Sequence, residues 1–125
     1  MEEKKIEITA ETLKEDSSVY ILTVSGLIDS YTARAFQKPI IELARSDASV
    51  VVMDCKDLTY VSSAGIGSFV VLGDELGKKG GLVLYNLQPN VLKIFTMLNM
   101  ASFFNISKTK QEALNKAKSL LNKQL

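Results

Sequence analysis

The chain has 125 residues, of which 46% are hydrophobic and 23% charged, and its 15 basic and 14 acidic side chains leave a net charge of +1. This is ordinary globular composition for one domain, with no global field to draw in nucleic acid or a membrane surface. The sequence has no histidine and one cysteine, Cys55, which excludes Ser-His-Asp and Cys-His nucleophile systems, an internal disulfide and nearly every catalytic zinc site.

In chain order, Lys5–Leu13 alternates weakly and predicts an edge-like first strand, followed by a polar turn at Glu15–Ser18. Val19–Gly26 predicts a second strand that closes a hairpin with the first. Asp29-Ser30 supplies an N-cap signal before a helix over Thr32–Arg45, where Ala33, Phe36, Ile40, Leu43 and Ala44 fall near helical spacing. Pro39 lies inside that pattern, and a mid-helix proline costs about 3 kcal/mol, so a kinked or two-part helix is expected. Ser49–Asp54 is a β-branched run suited to a central strand covered on both faces.

From Ala64 onward Ile66, Phe69, Val70, Gly73 and Leu76 mark a second helix, which Gly77–Gly81 ends. Leu82–Tyr85 reads as another buried strand, and Pro89 as the first turn of a helix carrying Val91, Ile94, Phe95 and Leu98. Phe103–Ile106 predicts a short final strand. Lys110–Leu125 predicts a last helix with Ala113, Leu114, Ala117, Leu120 and Leu121 on one face. The order β-β-α-β-α-β-α-β-α calls for a single α/β domain over residues 1–125, with a mixed, mostly parallel five-stranded sheet and four helices.

The N-terminus opens on Glu2, Glu3, Lys4 and Lys5, without a signal-peptide pattern. The longest apolar runs, Val50–Met53 and Phe69–Leu72, fall far short of the roughly 20 residues that span a bilayer. A soluble cytoplasmic protein is therefore expected. Cys55 ends an apolar run and reads as a small core filler.

Sites in open α/β sheets gather at the carboxyl ends of strands. Two such ends carry polar residues, Gly26 to Asp29-Ser30 and Thr59 to Ser63, and they share a rim if their strands are neighbours. Ser63 has Gly65 two residues after it but Val61 before it, so it is no nucleophile elbow. Neither phosphate-loop pattern, G-x-x-x-x-G-K-[ST] or G-x-G-x-x-G, occurs. Enzyme activity, a cofactor and a metal are thus not expected. Serine caps helices well, contributing about 1 kcal/mol. One cap suffices, so Ser62 takes that place and Ser63 becomes the first helical residue with its hydroxyl free. A phosphate there would meet the positive end of the helix dipole, while adding about −1.5 to −2 charges to the surface.

The whole chain resembles a STAS domain, in particular bacterial anti-sigma factor antagonists. The resemblance is carried by "GLIDSYTA" at 26–33, "DLTYVSSAGIG" at 57–67 and "LNMASFFNIS" at 98–107. It implies that Ser63 matches the serine phosphorylated by an anti-sigma factor serine kinase, with Ser62 as the second candidate, and that Asp29 matches the acidic residue of the neighbouring loop. Partner binding is then expected at Asp29, Ser30, Ser62, Ser63 and Gly65. By the same resemblance, the unphosphorylated protein binds the anti-sigma factor and frees a sigma factor for transcription, phosphorylation blocks binding, and a serine phosphatase restores it. The ATP belongs to the kinase. No direct contact with nucleic acid or membrane is implied, and a monomer is favoured. Phosphorylated members commonly carry Asp directly before the serine, where this chain has Ser62, and often Ser or Thr after it, where it has Ala64. The alternative reading is a STAS subunit of a transport or signalling-scaffold complex in which the serines act only as caps.

Overall fold

Apolar runs such as Val50–Met53 need cover on both faces of a sheet. The computed structural model, which describes residues 6–100 and 103–122, provides it. The elements are β1 (Ile6–Thr12), β2 (Val19–Ile28), α1 (Ala33–Arg45), β3 (Val50–Val61), α2 (Ser63–Gly77), β4 (Gly81–Tyr85), α3 (Pro89–Met97), β5 (Ile106–Ser107) and α4 (Lys110–Asn122). The sheet order is β1-β2-β3-β4-β5. β1 and β2 form an antiparallel hairpin, and every later pairing is parallel. The α/β class, the element order, the five strands and the four helices agree with the sequence reading.

Alternation sorts each strand between two cores. Leu22, Val24, Val51, Met53, Leu82 and Leu84 meet α1, α2 and α3 on one face. Val19, Ile21, Val50, Val52, Val83 and Tyr85 meet Ala113 and Ala117 of α4 on the other. The larger core centres on a phenylalanine cluster. Ring centroids lie 5.0 Å apart for Phe36–Phe69, 5.2 Å for Phe69–Phe95 and 5.1 Å for Phe95–Phe104, which joins the three helices to the segment before β5 through favourable tilted and edge-on contacts.

Three local expectations change. The third strand does not stop at Asp54 but continues to Val61. β2 pairs Thr23 with Asp54 and Ser25 with Asp57, then Gly26 with Leu58 and Leu27 with Tyr60. Each step leaves β3 one residue longer, so β3 carries two bulges. Cys55, Leu58 and Val61 are buried while Lys56, Asp57, Thr59 and Tyr60 are exposed. A bulge sets two residues against one, which turns the inward period from two to three and hides the strand from a search for alternation.

α1 runs through Pro39 as one element, so of the kinked or two-part helix expected there the two-part form is not adopted. Pro39 and Ala35, the residue whose carbonyl loses its intrahelical partner, are both exposed, so water can satisfy that carbonyl. The last strand is Ile106–Ser107, not Phe103–Ile106. Phe103 to Asn105 form a turn with Asn105 at φ 51°, and Phe104 enters the core instead. Lys5 and the last three residues of the expected final helix lie outside the described residues.

Candidate functional site

β2 and β3 are neighbours with Ile28 opposite Val61, so the loops that follow them leave the sheet side by side. The Ser62 N–H donates to the Ile28 carbonyl at 2.8 Å, extending the pairing by one residue. Ser62 is extended (φ −85°, ψ 178°), and its Oγ accepts from the Gly65 N–H at 3.2 Å, capping α2. Ser63 is the first helical residue and is exposed. The division between the two serines is thus visible in the backbone: Ser62 holds the helix start and Ser63 faces solvent.

Across the rim, Asp29 Oδ1 accepts from the N–H groups of Tyr31 at 2.9 Å and Thr32 at 3.1 Å. Thr32 Oγ1 accepts from the Asp29 N–H at 2.9 Å and donates to the Leu27 carbonyl at 2.8 Å. This reciprocal arrangement caps the turn that enters α1. Asp29 therefore braces the turn that leads into α1, whereas the N-cap position itself falls to Thr32, which makes no side-chain cap bond, and not to Asp29-Ser30 as expected; Ser30 is exposed at the mouth of a groove. Asp29, Ser30, Ser62 and Ser63 share one rim, as the adjacency of the strands requires.

Gly65 has a separate task. A Cβ there would lie 2.7 Å from the Ile28 carbonyl oxygen, 2.8 Å from Val61 Cγ1 and 2.9 Å from Ile28 Cγ2. The first turn of α2 thus approaches the β2 terminus as only glycine permits. Gly67 meets nothing within 4 Å and opens onto the groove between α1 and α2. That groove encloses about 700 Å³ and is lined by Arg34, Lys38, Ile41, Ala64 and Val71 among others. Near its far end, Arg45 pairs with Glu75 at 3.0 Å, and this hydrogen bond holds the Glu75 carboxyl below its usual range.

Sequence reasoning missed two aromatic side chains beside the rim. Tyr31 is 88% exposed, on a backbone held by Asp29, and Tyr60 is 48% exposed just before Ser62. Exposed tyrosines are common anchors of protein interfaces, and a tyrosine between a cap pair is the signal that could have marked Tyr31. The α1–α2 groove had no sequence signal, because its lining comes from two helices. Burial, and then the Asp54 carboxylate, raise the Cys55 thiol pKa, as a core filler requires. Among the described residues, no group of three or more His, Cys, Asp or Glu side chains could hold a metal. No helix among them is long and apolar enough to cross a membrane.

A hairpin leading into parallel strands in the order β1-β2-β3-β4-β5 is an α/β fold that this chain shares with solved anti-sigma factor antagonists. The chain belongs to the STAS domain family, whose model matches residues 11–113. It is 28% identical over 96 residues to an anti-sigma-B factor antagonist of Bacillus subtilis, covering 76% of this chain and 87% of that protein. Among solved structures, it resembles an anti-sigma factor antagonist from Mycobacterium paratuberculosis with a TM-score of 0.80 at 22% identity, covering 90% of this chain and 94% of that one. The phosphorylated Bacillus cell fate determinant SpoIIAA gives a TM-score of 0.67 at 17% identity, covering 88% of this chain and 98% of that one.

Proposed function

We propose that residues 1–125 act as one STAS domain, a monomeric cytoplasmic anti-sigma factor antagonist that is a binding module and not an enzyme. Its rim at Asp29, Ser30, Ser62 and Ser63, shaped by Gly65, docks an anti-sigma factor serine kinase and so releases a sigma factor. Phosphorylation of Ser63 switches the docking off, and a serine phosphatase restores it. The observation that carries this reading is the exposed Ser63 hydroxyl at the start of α2, beside a second serine that already caps the helix. The names of the relatives add support.

The physics of the switch follows from the position. The first turn of α2 contains no acidic side chain, so a phosphate on Ser63 would meet the helix dipole without a carboxylate in that turn to oppose it. It would leave the fold standing. On the rim the same group adds about two negative charges next to Asp29, and a surface matched to its partner before modification no longer matches after it.

The test is the intact mass of the chain after incubation with ATP and an anti-sigma factor serine kinase. One phosphate is expected, and Ser63→Ala should abolish it. A phosphate unaffected by Ser63→Ala but lost in Ser62→Ala would move the site to Ser62. No mass gain, together with stable capture of a transport or scaffold protein, would favour the constitutive-subunit reading.

A further inference from the structure

β3 runs seven residues beyond Asp54, whereas its neighbour β4 ends at Tyr85 directly opposite Asp54 and β5 ends at Ser107 opposite Tyr85. The sheet therefore has a step at its carboxyl edge, away from the Ser63 rim. A crevice of about 410 Å³ occupies that step. Its polar lining is Lys56, Asn86, Ser107 and Lys108, and Leu92 and Ile106 contribute apolar wall. Among the described residues, no acidic side chain lines it.

The backbone that presents these groups is braced. The Lys56 N–H donates to Asp54 Oδ1 at 3.0 Å, and the Lys56 carbonyl accepts from Gln88 Nε2 at 2.9 Å. Asn86, at φ 61°, donates from Nδ2 to the same Asp54 oxygen at 3.2 Å. The Lys108 N–H donates to Glu112 Oε2 at 3.2 Å in the cap of α4. The two nearby carboxylates, Asp54 and Glu112, are thus engaged by N–H donors. Among the described residues the ion pairs are Arg45–Glu75 and Lys78–Glu75, and neither Lys56 nor Lys108 takes part in one.

Two lysines that form no ion pair among the described residues thus line one concave space together with Ser107 and an apolar wall. Crevices outside the carboxyl ends of parallel strands are where α/β sheets take ligands. We propose that this crevice binds a small organic oxyanion, a phosphate or carboxylate monoanion or dianion attached to an apolar body. Lys56 and Lys108 hold the charged end, Ser107 donates a hydrogen bond, and Leu92 and Ile106 cover the body. This site is separate from the Ser63 rim and does not depend on the function proposed there.

The test is a titration of the 15N-labelled full chain followed by amide chemical shifts, with phenyl phosphate, benzoate and inorganic phosphate as separate ligands. Saturable shifts are expected at Lys56, Asn86, Ser107 and Lys108. The better of the two aromatic oxyanions identifies the natural head group as phosphate or carboxylate. It should bind about tenfold or more tightly than inorganic phosphate, because its ring buries apolar surface. Lys56→Gln with Lys108→Gln should weaken binding by about tenfold or more, since charge-assisted hydrogen bonds are the strong ones. Both lysines are exposed, and the single variants give the same readout should the double variant melt early. Shifts that grow without saturating, that spread over lysines elsewhere, or that persist unchanged in the lysine variants would overturn the proposal.

Discussion

Two glycines two residues apart in "GIG", Gly65 and Gly67, should respond to the same substitution with opposite signs. In Gly65→Ala the new methyl would sit 2.7 Å from the Ile28 carbonyl oxygen, whereas carbon and oxygen ordinarily approach to about 3.3 Å or more. The obstacle is backbone, and the same oxygen accepts the Ser62 N–H at 2.8 Å. To make room, α2 must lift from the end of β2 or that bond must stretch. Overpacking of this kind costs about 1–3 kcal/mol, and weakening one partly buried hydrogen bond adds about 1 kcal/mol. Alanine's better helix propensity returns at most about 1 kcal/mol. The net expectation is a loss of about 1–3 kcal/mol.

Gly67→Ala meets nothing within 4 Å and keeps only the propensity gain, up to about 1 kcal/mol of added stability. Urea unfolding and thermal melts measure both changes, and at this domain size 1 kcal/mol moves Tm by about 3–5 °C. Gly65→Ala should melt several degrees lower and Gly67→Ala slightly higher. Equal stability of Gly65→Ala and the parent chain would refute the close approach of α2 to β2. A destabilised Gly67→Ala would show that its side of the helix is not open.

Three further outcomes follow from the same geometry. Ser62→Ala removes the α2 cap and should cost about 1 kcal/mol in urea unfolding, whereas Ser63→Ala should stay within about 0.5 kcal/mol of the parent; a reversal would exchange the roles of the two serines. Burial, and then the Asp54 carboxylate, raise the Tyr85 phenol from 10.0 to about 12. The folded chain therefore holds that proton longer than the unfolded one, so this contribution is whole below about pH 10 and is lost as pH rises towards about 12. Absorbance titration comparing the parent with Tyr85→Phe checks it, and a Tyr85 that ionises at its unshifted value of 10.0 would contradict it. Cys55, buried and with its thiol pKa raised, should react with a thiol reagent only on unfolding, so rapid reaction of the native chain would place it outside the core.

What could be read from the sequence depended on periodicity. Val19–Leu22, Val50–Met53 and Leu82–Tyr85 are apolar without interruption because both sheet faces are covered, and their strands were placed within a residue or two at their starts. The polar bracing of the two loops was also readable, because Asp29 and Ser62 act through backbone N–H groups only two or three residues away. Where the period changed, the reading stopped. Cys55, Leu58 and Val61 recur every third residue, a pattern that belongs to neither a regular strand nor a helix. Phe103-Phe104 looked like strand because both are aromatic. Asn105 in a left-handed conformation turns the chain there, and tertiary packing takes Phe104 into the phenylalanine cluster.

The bulges that concealed the end of β3 also supply its surface chemistry. A regular strand from Asp54 to the rim would match β2 residue for residue and offer one outward side chain where each bulge offers two. The first bulge exposes Lys56 and Asp57, and the second exposes Thr59 and Tyr60. Lys56 then stands beside the oxyanion crevice, while Tyr60 stands beside Ser62 and Ser63. Thr59 Oγ1 reaches the Gly26 carbonyl at 3.0 Å, where Gly26 has a φ of 116°, and the Thr59 carbonyl takes Asn90 Nδ2 at 2.9 Å. The irregular strand is thereby tied to β2 on one side and α3 on the other. Bulges re-aim side chains at a cost in ladder bonds, and here those ties offset part of that cost. Two candidate sites on one carboxyl edge thus share a single structural cause.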